Sequence, residues 1–183
     1  MADGVLKVDG GFPLKGEITV RGAKNFVSKA MVAALLTPET SVLRNVPLIR
    51  DVDVVSELLR LHGADVDYDQ ECGTVTITPG QLHLPDPTVV MQLAGSSRIP
   101  ILFCGPLLHS LGEAFIPDLG GCHIGERPVD FHLQVLEDFG AKRTQEDVGL
   151  HLSAPRGLHA KKVHLPYPSV GATEQTLLAA VRA

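Results

Sequence analysis

The stretch from Asp118 to Asp130 carries the side chains of this chain best suited to chemistry. Its sequence is Asp-Leu-Gly-Gly-Cys-His-Ile-Gly-Glu-Arg-Pro-Val-Asp. Cys122 has His123 beside it and Arg127 five residues on, and positive charge nearby favours the thiolate, which is the reactive form of cysteine. Three glycines within six residues let the backbone move and approach a ligand closely. We therefore predict a reactive cysteine on a mobile loop, with a buried structural cysteine as the alternative.

Several helix starts of this chain are suited to binding an anion. Pro128 fits the first turn of a helix that begins near Asp130, where the free backbone N–H groups and Arg127 would attract negative charge. Three further predicted helix starts carry a cation or small polar residues: Lys24 and Asn25, then Arg98, then Ser169, Val170 and Gly171. We expect these starts to meet at one end of a domain and to bind a phosphate or carboxylate ligand.

These residues are spread over a repeated unit. A helix predicted from Asp51 to Asp65, capped by Asp51 or Asp53, ends at Gly63, and a second helix that begins at Asp130 ends at Gly140. The two glycines lie 77 positions apart, as do Asp53 and Asp130. Each helix is followed by two strand-like stretches, predicted at 64–68 and 74–78 in the first copy and at 141–144 and 149–153 in the second.

An earlier helix is repeated as well, and its copies set the fold class. A helix predicted at 25–36 has a counterpart at 98–108, and a third start appears at Ser169. A repeat of this length exceeds that of solenoid proteins. The pattern predicts an α/β domain of βαβ-type units around a shared axis, with helices inside and sheets outside or the reverse. We expect the third unit to be incomplete in this chain.

Composition excludes several classes of function. The 183 residues have a formal net charge of −5 and 44% hydrophobic residues, which favours a globular domain and offers no basic face for nucleic acid. No apolar run is long enough to cross a membrane and no export signal is visible, so we expect no membrane partner. Cys72, Cys104 and Cys122 are widely spaced, as in a cytoplasmic protein. The eight histidines are scattered, and no metal or cofactor site is predicted.

Three motifs in register resemble the UDP-N-acetylglucosamine enolpyruvyl transferases of cell-wall synthesis. They are Gly-Ala-Lys24-Asn25, then Gly-Gly-Cys122-x-Ile-Gly-x-Arg127-Pro-Val-Asp130-x-His132, then Pro-Ser169-Val170-Gly171-Ala-Thr173. The resemblance extends over nearly the whole chain. It implies an inside-out α/β barrel domain, incomplete here, and transfer of enolpyruvate from phosphoenolpyruvate to the sugar 3-hydroxyl with release of phosphate. Phosphoenolpyruvate and UDP-N-acetylglucosamine are the implied partners, with no cofactor and no metal.

The resemblance also implies residue roles. Cys122 would protonate phosphoenolpyruvate, form a covalent adduct with it and react with the antibiotic fosfomycin. Lys24, Asn25 and Arg127 would bind phosphoenolpyruvate. The UDP-sugar would contact Asn25, Arg98, Arg127, Pro128, Val129, Asp130, Phe131, Ser169, Val170 and Gly171. The chain departs from the usual family pattern at Phe26 to Lys29 and at Tyr167.

Two alternatives stay open at this point, together with a prediction about domains. The first alternative is the related transferase of the shikimate pathway, and the second is a shortened protein that binds a UDP-sugar or a partner without catalysis. Family members are more than twice as long, so we expect this chain to be a fragment that is inactive alone. Residues 22–183 would form the first domain, and residues 1–21 would pack with the missing second domain.

Overall fold

The computed structural model describes residues 7–94, 97–117, 129–147 and 149–183. Two units of similar topology lie within this part of the chain. The first contains β1 (Ser41–Leu43), α2 (Arg50–Leu61), β2 (Ala64–Asp69) and β3 (Thr74–Pro79). The second contains β4 (Glu113–Pro117), α5 (Asp130–Asp138), β5 (Lys142–Glu146) and β6 (Gly149–Ser153).

Each unit folds into a small antiparallel sheet with the same strand order. The order is β1-β3-β2 in the first sheet and β4-β6-β5 in the second. Because β1 and β2 each pair antiparallel with β3, they run parallel to one another on its two sides, joined through α2. The strands β4 and β5 are arranged in the same way around β6, joined through α5. The predicted βαβ-type units are thus confirmed, with a third strand inserted between the parallel pair.

The sheets lie outside and the helices inside. Burial alternates along β3, where Val75 and Ile77 face the interior, and along β4, where Ala114 and Ile116 do so. Such alternation is typical of a sheet with one face on the core and the other in solvent. Helices contribute most of the largest fully buried side chains, namely Met31, Leu58, Leu59, Leu107, Leu108, Leu136 and Gln175. The predicted inside-out arrangement is therefore confirmed, with the helices in the interior.

Two of the interior helices run parallel. The ammonium of Lys29 in α1 (Lys24–Ala33) lies 3.5 Å from the carboxylate of Glu174 in α6 (Val170–Ala180). Further along both segments, the Arg182 guanidinium donates a 3.5 Å hydrogen bond to the Leu36 carbonyl. Leu36 lies seven residues after Lys29, and Arg182 lies eight residues after Glu174. Since both helices advance about 1.5 Å per residue, these matched contacts mean that α1 and α6 run in the same direction with their starts at the same end.

The fourth helix, α4 (Cys104–Ser110), joins the same parallel set. Near its start, the Gln175 amide, with its oxygen and nitrogen placed to satisfy both partners, donates to the Ile101 carbonyl and accepts from the Gly105 N–H. Near its end, His109 Nε2 bonds to the Ala179 carbonyl at 2.6 Å. The matching order of these contacts along α4 and α6 shows that the three helix starts lie at one end of the domain, as predicted.

Three details of the elements differ from expectation. The predicted helix at 98–108 consists of a 3-10 segment, Ile99–Phe103, followed by α4. Pro106 explains the break, because it has no N–H to donate to the Leu102 carbonyl, so one continuous α-helix cannot run through this point. Proline is tolerated in the first turn of a helix, and Pro106 lies in the first turn of α4. The short strand β1 and the helix α3 (Pro87–Ala94) were not anticipated, and their sequences are brief and weakly patterned.

The prediction that Asp51 or Asp53 caps the second helix is wrong. The residue before α2 is Ile49, and within the described part of the chain no side-chain hydrogen bond caps this helix. Asp51 and Asp53 lie instead in its first turn, where their charge complements the positive end of the helix dipole. The predicted helix ends are confirmed, since Gly63 and Gly140 have left-handed φ angles of 95° and 102°.

Candidate functional site

The predicted site residues divide into a described group and one that lies outside the described residues. Cys122, Arg127 and Pro128 belong to the segment 118–128, which lies outside the described residues. The described group is spread over the starts of the helices: Lys24, Asn25, Arg98, Val129, Asp130, Phe131, Ser169, Val170 and Gly171. The described parts of the candidate site are therefore those contributed by α1, α4, α5 and α6.

The start of α1 is held by a close backbone approach. The Gly22 N–H donates a 3.0 Å hydrogen bond to the Asn45 carbonyl, and a Cβ at position 22 would collide with that oxygen. Only glycine allows this approach. It places Lys24 as the first residue of α1, with its side chain 65% exposed and its ammonium 3.7 Å from the Asp51 carboxylate of α2. Asn25 beside it is exposed. Both side chains are therefore accessible to a ligand.

Arg98 lies just before the 3-10 segment that leads into α4, and it is half-buried. Burial is the largest cause that lowers the pKa of His132, and the positive charges of Arg98 and Lys29 lower it further. The structure thus brings Lys29 of α1, Arg98 of the segment before α4 and His132 of α5 into one region. A negatively charged ligand would be stabilised in such a region.

The starts of α5 and α6 are joined by two side-chain contacts. The Phe131 ring packs on the Tyr167 ring, with centroids 5.4 Å apart and planes tilted by 59°. The next residue, His132, lies against Gly171 in the first turn of α6, where an added Cβ would come within 2.7 Å of the imidazole Nε2. Two adjacent residues of α5 thereby contact the chain on either side of Ser169. The predicted contacts of α5 and α6 are brought together by this packing.

Ser169 caps the third of these helix starts. Its hydroxyl accepts a hydrogen bond from the Ala172 N–H at 3.3 Å, and its carbonyl accepts one from the Thr173 hydroxyl at 2.8 Å. Serine is a preferred N-cap because it satisfies a helix N–H that otherwise has no partner. The predicted start of α6 at Ser169 is confirmed, and Val170 is 77% exposed there.

A polar seam below these starts was not predicted. Gln175 is fully buried, and its amide satisfies a carbonyl and an N–H at the junction of the 3-10 segment and α4. The Lys29–Glu174 pair crosses from α1 to α6 and is about three-quarters buried at both side chains. Because Glu174 and Gln175 lie in the second turn after the N-cap Ser169, the sequence could have indicated that these two side chains face neighbouring elements. Which elements they face depends on the tertiary packing.

His132 is the least satisfied of the polar side chains in this region. Its Nδ1 is buried and has no hydrogen-bond partner among the described residues. Burial lowers the pKa of His132 below its ordinary value of 6.5, the Gln175 amide raises it, and the charges of Arg98 and Lys29 lower it further. The ring is therefore neutral at neutral pH. His132 is part of the second motif, and the resemblance assigns no role to it.

The two described cysteines are not activated. Cys104 is fully buried in the core, as predicted, and burial raises the pKa of its thiol. Cys72 is exposed, and a hydrogen bond from its side chain to Asp69 together with the charge of that carboxylate raises the pKa of its thiol. Raised thiol pKa values reduce the reactive thiolate fraction. Across residues 7–94, 97–117, 129–147 and 149–183, no group of three or more histidine, cysteine or acidic side chains is arranged to hold a metal.

Comparison with protein families adds an independent observation. A family model described as EPSP synthase (3-phosphoshikimate 1-carboxyvinyltransferase) matches residues 8–183. The chain belongs to the EPSP synthase family. The match covers both sheet units and all three parallel helices, so the repeat and the helix starts described above are features of an EPSP synthase-family domain.

Curated relatives of this EPSP synthase-family chain carry a more specific name. It is 42% identical to the UDP-N-acetylglucosamine 1-carboxyvinyltransferase of Protochlamydia amoebophila over 98% of its own length and 39% of the relative's length. It is 43% identical to the protein of the same name from Chlamydia abortus, over 97% of its own length and 40% of that relative's. The chain thus spans about two-fifths of the length of the curated relatives it matches.

Solved structures support the fold. The enolpyruvyl transferase NikO from Streptomyces tendae matches with a TM-score of 0.75 and 22% identity, over 93% of this chain and 39% of that one. EPSP synthase from Acinetobacter baumannii matches with a TM-score of 0.68 and 20% identity, over 92% and 38%. At these identities the likeness shows the fold alone. It agrees with the predicted enolpyruvyl transferase-like α/β architecture. Among the described residues, no helix is long and apolar enough to cross a membrane.

Proposed function

We propose that this chain contributes the first domain of an enzyme that transfers enolpyruvate from phosphoenolpyruvate to the 3-hydroxyl of UDP-N-acetylglucosamine and releases phosphate. The observation that carries the proposal is the identity of 42–43% to curated relatives named UDP-N-acetylglucosamine 1-carboxyvinyltransferase, over nearly the whole chain. The gathering of helix starts and cationic side chains at one end of the domain supports it, because both substrates are anions.

The proposed chemistry assigns a role to each part of the site. Lys24, Asn25 and Arg127 bind the phosphate and carboxylate of phosphoenolpyruvate, and fixed cations of this kind position an anion for reaction. Cys122 donates a proton to the methylene carbon, and its sulfur forms the covalent adduct. The UDP-sugar contacts Asn25, Arg98, residues 127–131 and residues 169–171. The exposure of Lys24, Asn25 and Val170 is consistent with these roles.

A phosphate-release assay tests the function. The protein expressed from its complete reading frame is incubated with phosphoenolpyruvate and either UDP-N-acetylglucosamine or shikimate 3-phosphate. We expect release only with the UDP-sugar, and loss of release in Cys122→Ala. Cys72→Ala is the matched control, because Cys72 is an exposed thiol that the proposal leaves idle. Full turnover by Cys122→Ala would remove Cys122 from the mechanism.

The shikimate-pathway reaction is the second candidate. The description of the matching family model names that reaction, and two of the similar solved structures are EPSP synthases. Their identity to this chain is 20%, which is about half that of the curated relatives with the UDP-sugar name. The same assay decides, since release with shikimate 3-phosphate alone would establish the second candidate.

We also propose the division into domains. Residues 22–183 form the first domain, with two complete repeats and the start of a third, and residues 1–21 pack against another part of the enzyme. Residues 1–6 lie outside the described residues, but 7–21 are exposed throughout and carry five large apolar side chains that are 77–99% exposed: Val8, Phe12, Leu14, Ile18 and Val20. Apolar surface of this extent marks an interaction site. Measured without such a partner, the chain is expected to be inactive and prone to aggregate.

The biological setting of the proposal is peptidoglycan precursor synthesis in the cytoplasm, and hence cell shape and division. Free thiols such as Cys72 and Cys104 stay reduced in that compartment. By the same proposal, fosfomycin would alkylate Cys122. Mass spectrometry after treatment with the antibiotic should find the adduct on the peptide that contains Cys122. An adduct on Cys72 instead would contradict the assignment.

A further inference from the structure

The contact between His132 and Gly171 suggests a role that the motif comparison does not assign. At position 171 an added Cβ would lie 2.7 Å from the imidazole Nε2 and 3.0 Å from its Cε1. Real Cβ atoms essentially never make contacts this short, so a side chain at 171 would require the imidazole ring to shift. The ring and the glycine are therefore complementary in shape, across the packing surface of α5 and α6.

The same ring is enclosed on its other side. Its Nδ1 is buried and has no hydrogen-bond partner among the described residues. The preceding residue, Phe131, is fixed on Tyr167. These contacts pack the first turn of α5 against the start of α6 on both sides of Ser169.

We propose that His132 is a positioning residue, whose ring sets the spacing between the first turns of α5 and α6 and thereby holds the UDP-sugar contacts of both helices in register. The inference rests on the proposed function, because it assumes that Asp130, Phe131 and Ser169 to Gly171 contact the nucleotide sugar. The inference predicts an effect on one substrate and not on the other. The spacing between α5 and α6 affects binding of the UDP-sugar, whereas phosphoenolpyruvate is bound chiefly by Lys24 and Arg127.

The test uses the protein from its complete reading frame and measures dissociation constants by calorimetry. We expect His132→Ala to weaken UDP-N-acetylglucosamine binding about tenfold or more, and phosphoenolpyruvate binding less than about threefold. His109→Asn is the matched control. His109 also packs on α6 and has a lowered pKa, but it contacts Ala179 at the opposite end of that helix. Binding by this control should match that of the unmutated protein.

A double-mutant cycle separates positioning from direct contact. Gly171→Ala should weaken UDP-sugar binding because the new methyl group displaces the ring. In a protein that already carries His132→Ala the space is open, so the added effect of Gly171→Ala should fall to less than about threefold, as expected for residues in contact. A Gly171→Ala effect of the same size in both backgrounds would overturn the inference, since the methyl group would then act on the ligand directly.

The remaining outcomes are also decisive. UDP-sugar binding that is unchanged in both His132→Ala and His132→Asn would overturn the positioning role and leave the proposed function intact. Equal weakening of both ligands, accompanied by a lowered Tm, would overturn it too, because it would indicate general destabilisation. If the unmutated protein bound no UDP-N-acetylglucosamine, the proposed function would fail, and this inference with it.

Discussion

The ammonium of Lys24 lies 3.7 Å from the carboxylate of Asp51, so the first residue of α1 is paired with the first turn of α2. Both side chains are well exposed. An exposed ion pair contributes little to stability, because water screens the charges and ordering two side chains costs entropy. The pair therefore matters for where the Lys24 charge is held more than for how stable the domain is.

Asp51→Asn is expected to change the free energy of unfolding by less than about 1 kcal/mol. Lys24→Met should have an equally small effect on stability but raise the KM for phosphoenolpyruvate at least about tenfold, because it removes a charged ligand contact. Urea unfolding and steady-state kinetics measure the two effects. Normal kinetics in Lys24→Met would show that this cation has no part in substrate binding.

Gln175→Leu is expected to destabilise the protein by about 1–3 kcal/mol, because the Ile101 carbonyl and the Gly105 N–H would be left buried without partners. The measurement is urea unfolding monitored by circular dichroism. Leu177→Ala, at a 65% exposed position on the same helix, is the control and should change stability by less than about 0.5 kcal/mol. Equal effects of the two substitutions would mean that the Gln175 amide bonds contribute nothing.

Gly22→Ala is expected to displace the start of α1, because its Cβ would meet the Asn45 carbonyl. Overpacking against backbone costs about 1–3 kcal/mol, and the shift should also weaken phosphoenolpyruvate binding through Lys24. Gly10→Ala is the control, since nothing lies within 4 Å of a Cβ at that position. Thermal unfolding and ligand titration of the two variants would give the same result only if the Gly22 approach were unimportant.

Acidification from pH 7.5 to 5.5 is expected to destabilise the protein. His62, His109 and His132 all have pKa values lowered below 6.5, with burial as the largest cause in each. In this range the unfolded chain binds more protons than the folded one. The contribution of these histidines to the free energy of unfolding is therefore greatest above about pH 6.5 and decreases as the pH drops below that value. Urea unfolding at several pH values measures the slope.

His132→Asn should flatten that pH dependence, because it removes one of the three groups. A protein that became more stable between pH 7.5 and 5.5 would contradict the assignment of neutral, buried imidazoles. Carboxylates titrate mainly below this range and should not obscure the result.

Local features of the chain were predictable from the sequence. The strand Gly149–Ser153 and the helix that begins at Asp130 lie where the sequence pattern predicted them. Gly63 and Gly140 were recognised as helix ends because few other residues adopt a left-handed conformation without strain. The prediction of one helix at 98–108 is only partly correct, because Pro106 interrupts the backbone hydrogen bonds of a continuous α-helix.

The sequence by itself determined the repeat, the positions of the helix starts and the residue types available for binding anions, because these depend on local propensity and spacing along the chain. Only the tertiary structure decided that β3 and β6 are the central strands of their sheets. It also decided that Lys29 meets Glu174 and that His132 meets Gly171. Contacts between residues far apart in the chain depend on how the faces of whole elements pack, and spacing within one element carries no record of that choice.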